Sequence, residues 1–215
     1  MSKKVTKNEL IIMAISIVLI VIMGLFWFEQ INFIDLQILK FIRNYITFDV
    51  LKNIMYVISI LLSPIPMLLM FGIFIILGKD KLISKLVAIN TILAVIFNFI
   101  FKNIFRRPRP FEYMLVDVSG YSFPSAHAMV GVAFYGTLLY LNNKFIKDKK
   151  LKISINILLW ILIIMTPISR VYLGVHNFSD IFIGSVLGMF IVRTSIYFLN
   201  KISNEDRINR LEESK

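Results

Sequence analysis

The sequence predicts an all-α fold, a single integral membrane bundle of six transmembrane helices spanning residues 1–215. Three observations predict it. First, 58% of the 215 residues are hydrophobic and the mean hydropathy is +0.78, far too apolar for a soluble domain of this size. Second, six apolar stretches approach the roughly 20 residues a helix needs to cross a hydrocarbon core of about 30 Å. Third, Lys and Arg are divided unequally between alternate connecting segments, as membrane topology requires. The net charge of +11 lies mostly in those short segments, so it reads as topology, and no nucleic-acid partner is expected. The absence of cysteine excludes disulfides and thiolate metal sites.

The first stretch, 9–28, follows Lys3, Lys4 and Lys7 as a signal peptide would. Its apolar run is long, however, and ends in Trp27-Phe28-Glu29 without a small-residue cleavage site, so it reads as a retained span after a short cytoplasmic N-terminus, 1–8. Over 31–53, Ile31, Ile34, Ile38, Phe41, Tyr45 and Phe48 recur at steps of three and four, with Asp35, Lys40, Arg43 and Asn44 on other faces. This is the pattern of an interfacial amphipathic helix that caps the bundle or, alternatively, gates lipid access. Further spans follow at 54–77, 83–101, 124–142, 153–169 and 178–199, with Pro167 near the end of the fifth. Gly184 and Gly188 give the sixth a small-residue face, suited to close packing within the bundle and no basis for a dimer. The polar stretch 201–215 reads as a short cytoplasmic helix or tail. Fifteen Lys and Arg fall on one side and eight on the other, with Arg193 left inside the last span. The richer side is cytoplasmic and holds both termini, in a bacterial-type plasma membrane.

Three short segments on the opposite, outer side carry the candidate chemistry. His176 and Asp180 stand one helical turn apart, so the carboxylate can hold one ring N–H and leave the other nitrogen as an outward lone pair, a nucleophile. A structural His–Asp pair at a helix start would show the same spacing. Pro124-Ser125-Ala126-His127 opens a span: proline suits a first helical position, and the N–H groups from Ser125 to His127 point outward as a seat for phosphate oxygens. Ser125 adds a hydroxyl, and His127 can supply a proton to a departing group. Lys102 ends the third span, and Arg109 follows in a loop stiffened by Pro108 and Pro110; with Arg170 they provide three cations for phosphate oxygens. Arg106 and Arg107, at the membrane edge, read as contacts to anionic headgroups. The three cations would repel a dication, so neither a metal nor a cofactor is expected. A bell-shaped pH dependence follows, from one unprotonated and one protonated histidine.

Lys102 with Arg109-Pro110 after six residues, then Pro124-Ser125-Ala126-His127, then Ser169-Arg170 with His176 and Asp180, resembles the signature of the type 2 phosphatidic acid phosphatase family. The likeness departs at Ala126, where the family usually has glycine. The resemblance implies a haloperoxidase-like helical fold and roles for each residue. His176 would form a phosphohistidine, Asp180 would orient it and His127 would protonate the leaving group. Lys102, Arg109, Ser125, Ala126 and Arg170 would hold the phosphate without a metal. The implied substrate is a lipid phosphate, and membrane lipids are the expected surroundings. Small bacterial members act on undecaprenyl pyrophosphate, phosphatidylglycerol phosphate or phosphatidic acid; the chain's size and extra arginines put the prenyl pyrophosphate first and phosphatidylglycerol phosphate second. A carrier or flippase that binds such lipids without cleaving them is an alternative, with Asn90, Asn98 and Arg193 as a polar path. A phosphotransferase with the same site is another.

Overall fold

A computed structural model describes residues 6–26, 28–67, 69, 72 and 81–212. Much of the far half of the expected 54–77 span, the end of the tail at 213–215, Trp27 and the basic residues Lys3, Lys4, Lys79 and Lys215 lie outside the described residues. The described chain is helical: α1 (Lys7–Phe26), α2 (Phe28–Phe41) running on into a π-helical turn (Ile42–Ile46), α3 (Asp49–Leu61), α4 (Lys81–Phe105), α5 (Ala126–Phe145), α6 (Lys149–Tyr172) and α7 (Phe178–Glu212). Four described segments are long and apolar enough to cross a membrane: Asp49–Met67, Ser84–Phe105, Lys149–Tyr172 and Phe178–Lys201. The expected first and fourth spans form helices of 20 residues each, α1 and α5.

The core forms around α5, which packs against α4, α6 and α7. Every residue from Ala128 to Tyr135 is buried. A helix enclosed by protein on all sides can carry Ala, Gly and Thr where a lipid-facing helix carries Leu, Ile and Phe, and α5 does. Gly184 and Gly188 of α7 face it so closely that an added Cβ at Gly184 would lie 2.8 Å from the Ser125 carbonyl oxygen, and one at Gly188 would lie 2.5 Å from that of Met129. The small-residue face thus packs inside the bundle.

Two segments differ from expectation. Residues 31–53 are not one helix: the π turn and the extended Thr47 and Phe48 separate α2 from α3, and the second long apolar helix starts at Asp49 rather than at 54. The buried face of α2 also differs from the apolar stripe. Asp35 and Leu39 are buried with Ile38 packed beside them, while Phe33, Ile34 and Phe41 are exposed, because Asp35 has the Arg107 cation inside and the apolar residues are compatible with lipid outside. Nor does Pro167 end the fifth span; α6 runs through it to Tyr172 and is capped at its start by Asp148, whose carboxylate accepts from Leu151 N–H at 2.7 Å. The polar stretch from Lys201 continues α7 to Glu212 as helix.

The C-terminal end of α4, the N-terminal end of α5, the C-terminal end of α6 and the N-terminal end of α7 meet at one end of the bundle. Backbone contacts fix that meeting: Ser125 N–H donates to the Asp180 carbonyl at 3.1 Å, and Ser122 N–H to that of Arg107 at 2.9 Å. All three sequence segments therefore converge.

Candidate active site

His176 lies in the turn between α6 and α7. Gly174, at φ 69°, makes that turn possible, since a side chain there would run into the Tyr113 backbone. The ring is buried. Its Nδ1 sits 3.5 Å from Asp180 Oδ2, long for a hydrogen bond, and its Nε2 sits 3.3 Å from Arg109 Nη1. A guanidinium can only donate, so Nε2 must be the accepting nitrogen and Nδ1 carries the proton toward Asp180. This tautomer leaves a lone pair on Nε2, beside a cation. Burial pushes the His176 imidazole down to about 4; Asp180 pulls the other way, and the charges of Arg109 and Arg170 push it lower again. At neutral pH the ring is therefore uncharged.

Asp180 opens α7. Its Oδ2 accepts from Asn177 N–H at 2.9 Å and faces His176, while its Oδ1 accepts from Arg107 Nη1 at 2.6 Å. Arg107 is thus no headgroup contact: it is 4% exposed and also bridges to Asp35 on α2 at 2.8 Å. Arg106 does lie on the surface, in a left-handed backbone conformation (φ 46°) that reverses the chain after α4 and sends Arg107 inward.

Two of the other cations, Arg109 and Lys102, are held by backbone carbonyls. Arg109 donates from Nη1 to Val175 at 2.6 Å and from Nε to Gly120 at 3.0 Å, and burial lowers its pKa with Asp180 opposing. Lys102 donates to the Tyr121 carbonyl, which Arg109 Nη2 also reaches at 3.4 Å, so these two cations clasp one loop. Arg170 donates to the Ser59 hydroxyl, and His127 Nε2 lies 3.2 Å from the Ser59 carbonyl. A carbonyl only accepts, so His127 Nε2 bears a proton. Beside these two residues opens a cavity of about 570 Å³ that also exposes Lys52, Asn53, Tyr56 and Asp117.

Proline does not occupy the first helical position of α5. Ser125 is the N-cap, Pro124 precedes it after a cis peptide bond, and the Ser125 N–H is spent on Asp180 instead of pointing outward. Ala126, the first helical residue, lies outside the left-handed region, so nothing in its backbone requires glycine. Two buried side-chain atoms here lack a partner, Ser125 Oγ and Arg170 Nε, while His176 Nδ1 has only its long contact to Asp180. Buried polar groups are rarely left so, and their concentration at one site marks where a polar ligand would complete the bonding. Sequence reasoning missed Ser59, Asp35, Ser179 and the inward role of Arg107. Lone polar residues in apolar or amphipathic helices carry little signal, and Asp35 read as part of the polar face of α2.

A helical membrane bundle that gathers two imidazoles, a carboxylate and three cations at one end is suited to an anionic phosphoryl group. The comparisons agree with that class. The PAP2 superfamily model matches residues 85–203, and the chain belongs to that superfamily. It is 30% identical over 140 residues to phosphatidylglycerophosphatase B of Bacillus subtilis (strain 168), a match that covers 63% of this chain and 58% of that relative. Its fold is similar to the crystal structure of a transmembrane PAP2-type phosphatidylglycerolphosphate phosphatase from Bacillus subtilis, with TM-score 0.77 and 24% identity, over 90% of this chain and 96% of that one. The LpxE structure of Aquifex aeolicus aligns with TM-score 0.62 and 20% identity, over 75% of this chain and 93% of that one.

Proposed function

We propose that this chain is a membrane lipid phosphatase that works through a phosphohistidine on His176. The observation that carries this reading is the orientation of His176, with Nδ1–H toward Asp180 and the Nε2 lone pair beside Arg109. The phosphate oxygens draw Arg109 Nη1 off Nε2, which attacks phosphorus while the P–O bond to the lipid breaks, and His127, entering as the imidazolium, delivers a proton to the leaving oxygen and becomes neutral. Water then attacks the phosphohistidine, His127 takes a proton from it, and inorganic phosphate leaves with His176 restored. Lys102, Arg109 and Arg170 balance the charge of the equatorial oxygens, so no metal is needed. Ser125 Oγ and the N-terminal turn from Ala126 add donors.

The six-span topology, with both termini cytoplasmic and the site on the outer face, is part of this reading, supported by the excess of Lys and Arg on the far segments. Phosphatidylglycerol phosphate becomes the first substrate, ahead of undecaprenyl pyrophosphate. The relative of Bacillus subtilis is named for it, and the extra arginines that favoured the pyrophosphate include Arg107, which is engaged internally. The cavity beside His127 lies on the leaving-group side, where Lys52 can meet the phosphodiester that phosphatidylglycerol retains. A carrier is disfavoured because the polar path is occupied. Asn90 donates to Thr137 at 2.8 Å and accepts from Ser195, and Asn98 donates to the Pro124 carbonyl at 3.0 Å. A transferase with the same residues would differ only in its acceptor.

The test is phosphate release from both lipids and from phosphatidic acid by detergent-purified protein in EDTA. Release from phosphatidylglycerol phosphate that His176→Ala abolishes is expected, with Lys52→Ala raising KM about fivefold for that lipid relative to phosphatidic acid, as a loss of about 1 kcal/mol implies. Phosphate release that persists in His176→Ala would sink the reading.

A further inference from the structure

Between the surface helix α2 and the His176 turn runs a chain of buried polar contacts that phosphate chemistry does not itself require. Arg107 donates from Nη1 to Asp180 Oδ1 at 2.6 Å and to Ser179 Oγ at 2.7 Å, and from Nη2 to Asp35 Oδ2 at 2.8 Å and to Asn32. Asp35 in turn accepts from Ser179 N–H at 2.9 Å and from the Ser179 hydroxyl. Arg107, Asp35 and Asp180 are 4%, 2% and 0% exposed. Burying three charges is costly, and a structural clamp could have been made from apolar side chains. What this arrangement does is divide the Asp180 carboxylate: Oδ1 belongs to Arg107, and Oδ2 is left to Asn177 N–H and His176.

We propose that Arg107 and Asp35 are positioning residues for the reaction, locking Asp180 so that Oδ2 holds His176 in the Nδ1–H tautomer with its Nε2 lone pair toward the phosphoryl site. Neither residue touches the phosphate; each acts through Asp180. Arg107 also offsets carboxylate charge that would otherwise act on the imidazole, and Asp35 fixes the guanidinium from the far side. The charged and titratable groups facing His176 are Asp180 on α7, Arg109 in the loop, Arg170 on α6 and His127 on α5. Of these only Asp180 favours the protonated ring, so removing its Arg107 partner pushes His176 toward protonation. The link also ties α2, with its exposed Phe33, Ile34 and Phe41, to the catalytic end of the bundle.

The inference rests on His176 being the nucleophile, so the test includes a readout that needs no turnover. The chain has only two histidines, and nitrogen NMR of the two imidazoles, assigned with His176→Ala, reports tautomer and titration directly. In the wild type His176 should show the Nδ1–H form. In Arg107→Gln its titration midpoint should rise by about one pH unit and the tautomer should mix, with kcat lowered roughly a hundredfold and KM nearly unchanged. Arg107→Lys should recover part of kcat. Asp35→Asn, the milder change, should lower kcat about tenfold in the same direction and serves if Arg107→Gln does not fold. An unmoved tautomer and midpoint in the folded variants, or a loss confined to KM, overturns the proposal. Silence of the wild-type enzyme on every lipid, with these NMR shifts present, would instead refute the phosphatase reading.

Discussion

At the scale of single residues, the chemistry follows from which atoms can only donate and which can only accept. Arg109 makes Nε2 the accepting nitrogen of His176, and the Ser59 carbonyl makes Nε2 a protonated nitrogen of His127, so the two rings present opposite hydrogen-bonding character at that atom. The low pKa of His176, about 4, has a kinetic consequence. A protonated ring has no lone pair, so kcat/KM should stay on its plateau from neutral pH down to about 5 and fall as pH drops through about 4. A limb near 6.5, the ordinary imidazole value, would mean that burial and the two arginines do not govern this ring. The ten motif positions other than Ala126 were legible because their spacing is specific. Arg107 was misread because charge at a membrane edge looks the same in sequence whether it faces lipid or turns inward behind a left-handed Arg106.

At the scale of elements, the site depends on how closely α7 approaches α5. The Cβ missing from Gly184 would lie 2.8 Å from the Ser125 carbonyl oxygen and 3.1 Å from Ala128 Cβ, against backbone that cannot yield without moving the start of α5. Gly184→Ala should therefore destabilise the protein by about 1–3 kcal/mol and also lower kcat, because it separates α5, which carries His127, from α7, which carries Asp180. Gly136 of α5 is the control: a Cβ there meets Val192 at 3.5 Å, an ordinary contact, so Gly136→Ala should be neutral or stabilising by up to about 1 kcal/mol. Thermal unfolding in detergent with parallel turnover measurements checks both. Equal effects of the two would remove the argument from close approach. The helices α1, α4, α5 and α6 were legible from hydropathy to within a few residues. The π turn and the break at Thr47–Phe48 were not, since the apolar period runs on across them while buried Asp35 decides which face turns in.

At the scale of the whole molecule, four helix ends bring together residues 78 positions apart in sequence, from Lys102 to Asp180. Alternation of direction along the bundle does this: successive helices from α4 to α7 run up and down, so every second connection returns to the same end. The convergence was legible from topology alone, before any side chain was placed. The tie from α2 through Asp35 was not, because nothing in a local pattern pairs an aspartate with an arginine 72 residues away. The central claim is that the phosphoryl group passes through His176, and its most direct test is mass spectrometry of the enzyme quenched in alkali during turnover of phosphatidylglycerol phosphate. A phosphoryl group on the His176 peptide, absent from His176→Ala, is the predicted result. Phosphate released with His176 never labelled, or with the label on His127, would contradict it.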